Sequence, residues 1–176
     1  IDWSDRLIGI KGTRGVGKTT FLLQYAKEKF GTDRSCLFIN MNNFYFSGHS
    51  IVDFANEFQK RGGKVLLIDQ VFKHPEWSKE LRMCYDRYPN LKIVFTGSSV
   101  MRLKEENLEL RDIAKSYNLR GFSFREFLNL QTGMKFRAYS LEEILSTHEQ
   151  IAKGVLSKVR PLDYFQDYLH HGFYPF

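Results

Sequence analysis

At 176 residues, 43% of them hydrophobic, the chain is long enough to bury a full core and has the composition of one globular domain, with room for the start of a second. It contains no run of about 18 apolar residues and no charged-apolar-small leader, which speaks against a membrane-spanning helix and a secretory signal and predicts a soluble, cytoplasmic protein. A net charge of +6 permits an acidic partner such as a nucleotide or nucleic acid, but the basic residues are scattered as on a solvated surface, and Cys36 and Cys84 are too few for a disulfide framework or a zinc site.

The chain opens with an apolar run over Leu7 to Ile10, which predicts a strand, and a helical pattern follows over Lys18 to Phe30. Further β-branched, apolar runs at Leu37 to Met41, Val65 to Ile68 and Ile93 to Thr96 alternate with helical spacing at Ile51 to Arg61 and Trp77 to Tyr88. This βαβα order predicts a parallel sheet covered by helices on both faces. The punctuation agrees: Gly31, Gly62, Gly63 and Pro89 stand where the helices should stop, and Ser50 where the second should be capped. After Gly97 the strand signal thins to one short run near Tyr117 to Leu119. Beyond it the pattern is helical, with Ser123 and Glu126, and then Ser140 and Glu143, spaced as capping boxes. Helices are expected over Leu141 to Lys158 and Leu162 to His171. The final "YLHHGFYPF" leaves several aromatics with little chain to cover them, so the sequence is expected to be a fragment of a longer protein. A core over residues 1–135 and a helical segment over 136–176, the start of a truncated C-terminal region, are the expected division.

Within "IGIKGTRGVGKTTFLLQ", Gly12, Gly17, Lys18 and Thr19 match G-x-x-x-x-G-K-[ST] between a predicted strand and a predicted helix. Glycines let successive N–H groups face a phosphate chain, and the helix N-terminus adds partial positive charge. The loop Gly12, Thr13, Arg14, Gly15, Val16, Gly17, Lys18, Thr19 and Thr20 is therefore the expected ATP site. Lys18 is expected to reach the β- and γ-phosphates, and the Thr19 hydroxyl to ligate Mg²⁺. In "KVLLIDQ", four apolar residues lead to Asp69, whose carboxylate at a strand end suits the same ion. The interval from Lys18 to Asp69 has room for a further β-α pair, which favours the additional-strand class of P-loop proteins. A third strand, "LKIVFTGSS", ends in polar residues, so Thr96 or Ser98 is expected to offer a hydroxyl to the γ-phosphate or the attacking water.

The blocks "RLIGIKGTRGVGKTT", "LLIDQVFKHPEWSKELRMCYDRYPNLKIVFTGSS" and "YNLRGFSFREFLNL" resemble, in this order, the bacterial and archaeal AAA+-type ATPases in which an N-terminal ATPase domain precedes a C-terminal region containing a winged helix. The resemblance implies a P-loop three-layer α/β/α sandwich with a five-stranded parallel sheet of order 5-1-4-3-2, followed by C-terminal helices. It also implies ATP with Mg²⁺ as cofactors, a homo-oligomer, and a protein or DNA partner reached through the missing C-terminal region. Residue by residue, the family's phosphate loop falls on Gly12 to Thr19, its magnesium aspartate on Asp69 and its sensor region on Thr96 to Ser98. Its arginine falls on Arg111, with Arg102 and Arg120 next in line.

In one respect the chain departs from that family, which carries a glutamate after the aspartate where this chain has Gln70. An amide can hold a water but cannot take its proton, so hydrolysis is expected to be slow and bound ATP to persist. Engineering, a naturally slow branch, and another base all account for the glutamine equally; Glu76 and Glu80 are the nearest carboxylates and are expected to be solvated. The leading reading is a nucleotide-dependent switch or motor, the alternative a regulatory or nucleic-acid-associated module that binds ATP without turning it over. A phosphotransferase is disfavoured, for want of an arginine-rich lid. Of the remaining signals, the consecutive Phe44, Tyr45 and Phe46 cannot all turn inward from one strand and suit a partner surface or a disordered tip. Arg120 and Arg125 amid aromatics could stack on nucleic acid, though the capping box favours a packed helix.

Overall fold

A computed structural model describes residues 1–98 and 107–174. Five strands, β1 (Leu7–Gly12), β2 (Cys36–Asn40), β3 (Val65–Asp69), β4 (Lys92–Ser98) and β5 (Lys115–Asn118), pair in parallel in the order β2-β3-β4-β1-β5. Read from the other edge this is 5-1-4-3-2, as expected. Among the described residues three α-helices lie between the strands: α1 (Lys18–Lys29), α2 (Ile51–Lys60) and α3 (Trp77–Arg87).

The two-residue period of the strands divides the core into two layers. Ile8, Ile10, Val65, Leu67 and Val94 pack with Leu22 of α1 on one face. The intervening Leu7, Leu66, Ile68, Ile93 and Phe95 face the other way, against Ile51, Val52 and Ala55 of α2 and Trp77, Leu81 and Cys84 of α3. Because β3 is covered on both faces it is buried at every position, which explains why "VLLID" is continuously apolar up to its aspartate. At about 25 cal/mol per Å² of apolar surface removed from water, these two layers are the main stabilising term.

Helix boundaries follow local chemistry. The Ser50 side chain accepts from Asp53 N–H at the start of α2, and Gly31, in a left-handed conformation (φ 56°), follows the end of α1. The last strand lies earlier than the apolar run near Tyr117 suggested, over Lys115–Asn118 beside Ile8 to Lys11. As an exposed edge strand it has a polar sequence, so hydrophobicity reports it poorly.

The chain divides into two compact units, Ile1–Arg120 and Gly121–Phe176; the expected boundary at residue 135 falls inside the second. The second unit holds α4 (Phe124–Thr132), α5 (Leu141–Leu156) and α6 (Leu162–Asp167). Both predicted capping boxes are formed, by Ser123 with Glu126 and by Ser140 with Glu143. α5 is kinked at Thr147, where the Ser146 and Thr147 hydroxyls donate back to the Glu142 and Glu143 carbonyls. α6 is shorter than expected, because Tyr168–Gly172 winds on as a π-type turn. Of the aromatics in the final stretch, Tyr168 is covered, packing on Phe124 with its hydroxyl donating to Phe122 O, whereas Phe173 and Tyr174 are exposed, as expected. Among the described residues no helix is long and apolar enough to cross a membrane. The buried Cys84 thiol is pushed up to about 12 and that of Cys36 to about 11, chiefly by desolvation, which makes both poor nucleophiles.

Candidate nucleotide site

Register brings the site together. Asn40 of β2 lies opposite Asp69 of β3, and Gly12 of β1 opposite Ser98 of β4, so four strands deliver polar or glycine positions to one edge of the sheet. In open parallel sheets this carboxyl edge is where ligands bind.

The loop from Gly12 to Gly17 turns on glycine. Gly15 (φ 87°) and Gly17 (φ 94°) occupy the left-handed region, and a Cβ at Gly12 would lie 2.5 Å from Leu119 O and 3.0 Å from Val16 Cγ1. Gly17 caps α1 without any side-chain hydrogen bond, which leaves first-turn N–H groups for an anion. Val16 is buried and anchors the loop, whereas Thr13, Arg14, Thr19 and Thr20 are exposed. Lys18 folds over the loop, its Nζ donating to Gly12 O at 2.7 Å and Thr13 O at 2.8 Å. Burial holds its ammonium below the usual lysine range, with Asp69 opposing the shift.

Asp69 is 1% exposed, so its carboxylate needs partners. Among the described residues it has three: Oδ2 accepts from Thr19 Oγ1 at 2.8 Å and Asn40 Nδ2 at 3.1 Å, and Oδ1 from Thr96 Oγ1 at 2.5 Å. Thr19 and Asp69, expected to share an ion, are thus adjacent, and together they offer the hard oxygen donors that magnesium prefers. Among the described residues no cluster of three or more His, Cys, Asp or Glu side chains suits a metal.

Thr96 is fully buried, and its hydroxyl is engaged twice, donating to Asp69 and accepting from Gln70 N–H at 2.9 Å. It braces the Asp69-Gln70 step from behind, which differs from the expected contact with phosphate or water. Ser98, half-buried beside Gly12 in the register, lies nearer the loop. Gln70 follows directly, half-buried, and its φ of 55° makes it the one non-glycine residue with positive φ among those described. Such backbone strain persists only where surroundings over-determine it, and here the Thr96 hydroxyl holds the peptide.

Arg111 is exposed, at the end of a 3₁₀ turn over Leu108–Leu110. Arg82 of α3 ties that turn down through Glu109 O and Asp112. Arg102 lies outside the described residues, and Arg120 is exposed at the end of the first unit. Glu76 is solvated as expected, paired with Lys79, but Glu80 is not. Its carboxylate accepts from Ile51 N–H at the start of α2 and lies 3.1 Å from His74 Nε2, so it is occupied in bracing two elements. Asn40 went unrecognised in the sequence, where an asparagine closing a strand reads as a turn former. The aromatic triplet resolves as a 3₁₀ turn, Phe44–Ser47, with Phe46 buried, Tyr45 stacked on His49, and Phe44 89% exposed.

No curated protein matches the chain. Among solved structures, C. elegans PCH-2 is similar at 20% identity with a TM-score of 0.48, covering 73% of this chain; the match spans only 39% of that chain's length. A family model described as an AAA domain matches residues 4–128, from ahead of β1 into α4. With that match spanning both the phosphate loop and Asp69, the chain belongs to the AAA domain family of nucleotide-binding ATPases.

Proposed function

We propose that this chain binds ATP with Mg²⁺ at the Gly12 to Thr20 loop and acts as a nucleotide-dependent switch or motor whose hydrolysis is slowed by Gln70. The observation that carries the reading is the 2.8 Å contact between Thr19 and the buried Asp69, beside a lysine folded over a glycine loop. Lys18 leaves two carbonyls for the β- and γ-phosphates, and the free N–H groups of α1 take their oxygens. Thr19 and Asp69 hold the ion. Held there, the ion would supply positive charge to offset what develops on the phosphates. Thr96 keeps Asp69 and the Gln70 peptide in place, and Ser98 is the hydroxyl closer to the phosphates. Gln70 orients a water by hydrogen bonding but leaves its proton where it is.

Gln70 favours a second reading, in which ATP is held for structural or regulatory purposes and never turned over. The two part on a product assay, with phosphate release supporting the first and intact bound ATP the second. In either reading the protein is cytoplasmic; in the first, its nucleotide state passes to a C-terminal winged-helix region and a protein or DNA partner.

Asp69→Asn tests the metal. An amide loses the charge that draws the ion, so ATP affinity measured by calorimetry with Mg²⁺ is expected to fall about tenfold or more, while affinity in EDTA changes little. Equal losses in the two conditions would remove Asp69 from the metal site.

We propose that Arg111, exposed on its anchored turn, serves the γ-phosphate of a neighbouring copy in a homo-oligomer. In a hydrolysis-competent background, Arg111→Ala is expected to slow turnover tenfold or more at concentrations where the oligomer is assembled. Parent-like rates at every protein concentration would assign the role to another residue.

A further inference from the structure

We propose that Asn40 is a positioning residue for Asp69, fixing the plane of its carboxylate so that Oδ2 is presented to the metal that Thr19 shares. The inference rests on the reading of Asp69 as a magnesium ligand. A carboxylate at the end of a strand can rotate about its last bond unless both oxygens are held. Thr96 holds Oδ1 from the β4 side, and Asn40 holds Oδ2 from the β2 side at 3.1 Å. Thr19, the other partner of Oδ2 among the described residues, is itself a proposed metal ligand and cannot serve as an independent anchor.

Asn40 is suited to this because its own amide is oriented. Its Oδ1 accepts from Asn42 N–H at 2.8 Å, which assigns the NH₂ end to Asp69 and settles which way the side chain points. The β2-β3 register sets Asn40 directly opposite Asp69, so the contact comes from paired backbone and needs no long side chain. One residue thereby joins the turn after β2 to the carboxylate that closes β3.

Loss of a partner that orients a metal ligand commonly costs 10–100-fold in metal affinity. The test is calorimetric ATP affinity, with Mg²⁺ and with EDTA, for the parent, Asn40→Leu, Asn40→Ser and Asp69→Asn. Leucine removes the donor at similar size. Serine keeps an acceptor for Asn42 N–H but is too short to reach Asp69, and it serves as the second variant should leucine impair folding. Both Asn40 variants are expected to lose 10–100-fold of the affinity measured with Mg²⁺ and about none of that measured in EDTA. Equal losses in both conditions would show a merely structural role. Parent-like Mg²⁺ dependence in Asn40→Ser would assign the effect to the turn and overturn the proposal. If Asp69→Asn loses Mg²⁺ dependence while both Asn40 variants keep it, only the role of Asn40 fails; if Asp69→Asn keeps it as well, the metal reading fails too.

Discussion

Lys18→Ala is expected to lower ATP affinity by about a hundredfold or more and to leave the fold intact. Hydrogen bonds to charged groups are worth about 1.5–3 kcal/mol each, and the ammonium carries a full positive charge over the loop carbonyls. Loss of two such contacts to phosphate therefore costs about 3–6 kcal/mol, a hundredfold or more in affinity. The core would not notice, since Lys18 is only partly buried and both apolar layers are built without it. Calorimetry paired with a thermal melt checks both halves. Unchanged affinity with an unchanged melt would mean that nucleotide binds elsewhere.

Gln70→Glu is expected to raise single-turnover hydrolysis tenfold at the least, and by about 10²–10⁴ if the full general-base contribution is restored. The substitution is nearly isosteric, so the left-handed backbone at this position and its hydrogen bond from N–H to Thr96 are preserved. ATP affinity should change little, because the new carboxylate acts on the water more than on the bound nucleotide. A single-turnover format is required, as slow product release would otherwise mask the chemistry. Equal cleavage by both forms, with the oligomer assembled, would show that Gln70 stands outside the catalytic position or that another group already serves as base. The structure narrows the second option, since Glu80, one of the two nearest carboxylates along the chain, is occupied by Ile51 N–H and His74.

Local chemistry made much of this legible in the sequence. The glycine spacing before Lys18, the apolar run into Asp69 and the serine caps at Ser50, Ser123 and Ser140 each depend on residues a few positions apart. What was not legible depends on distant pairing. Asn40 meets Asp69 only because β2 and β3 align in one register, and Thr96 turns its hydroxyl to Asp69 and the Gln70 peptide only because β4 lies next to β3. Glu80 looked solvated because a helix pattern does not tell which neighbouring helix end will need an acceptor. β5 was expected two residues late at its start and one at its end for a different reason: its pairing is through backbone, and side chains at an open edge are free to be polar.

The strand order also has a consequence for biosynthesis. β1, which leads into the phosphate loop, is made first, yet its sheet neighbours are β4 and β5, the last two strands of the unit. At about 5–20 residues per second, roughly 4–17 seconds pass between synthesis of Gly12 and of its register partner Ser98. During that interval β2 and β3 can pair, but "LIGIKG" has no strand to lie against and its apolar side chains remain open to wrong contacts. The close approach of Gly12 to Leu119 O postpones completion of the loop further, until residue 119 has left the ribosome. Nucleotide capture by nascent chains of increasing length should therefore begin abruptly, once the fifth strand is free of the exit tunnel.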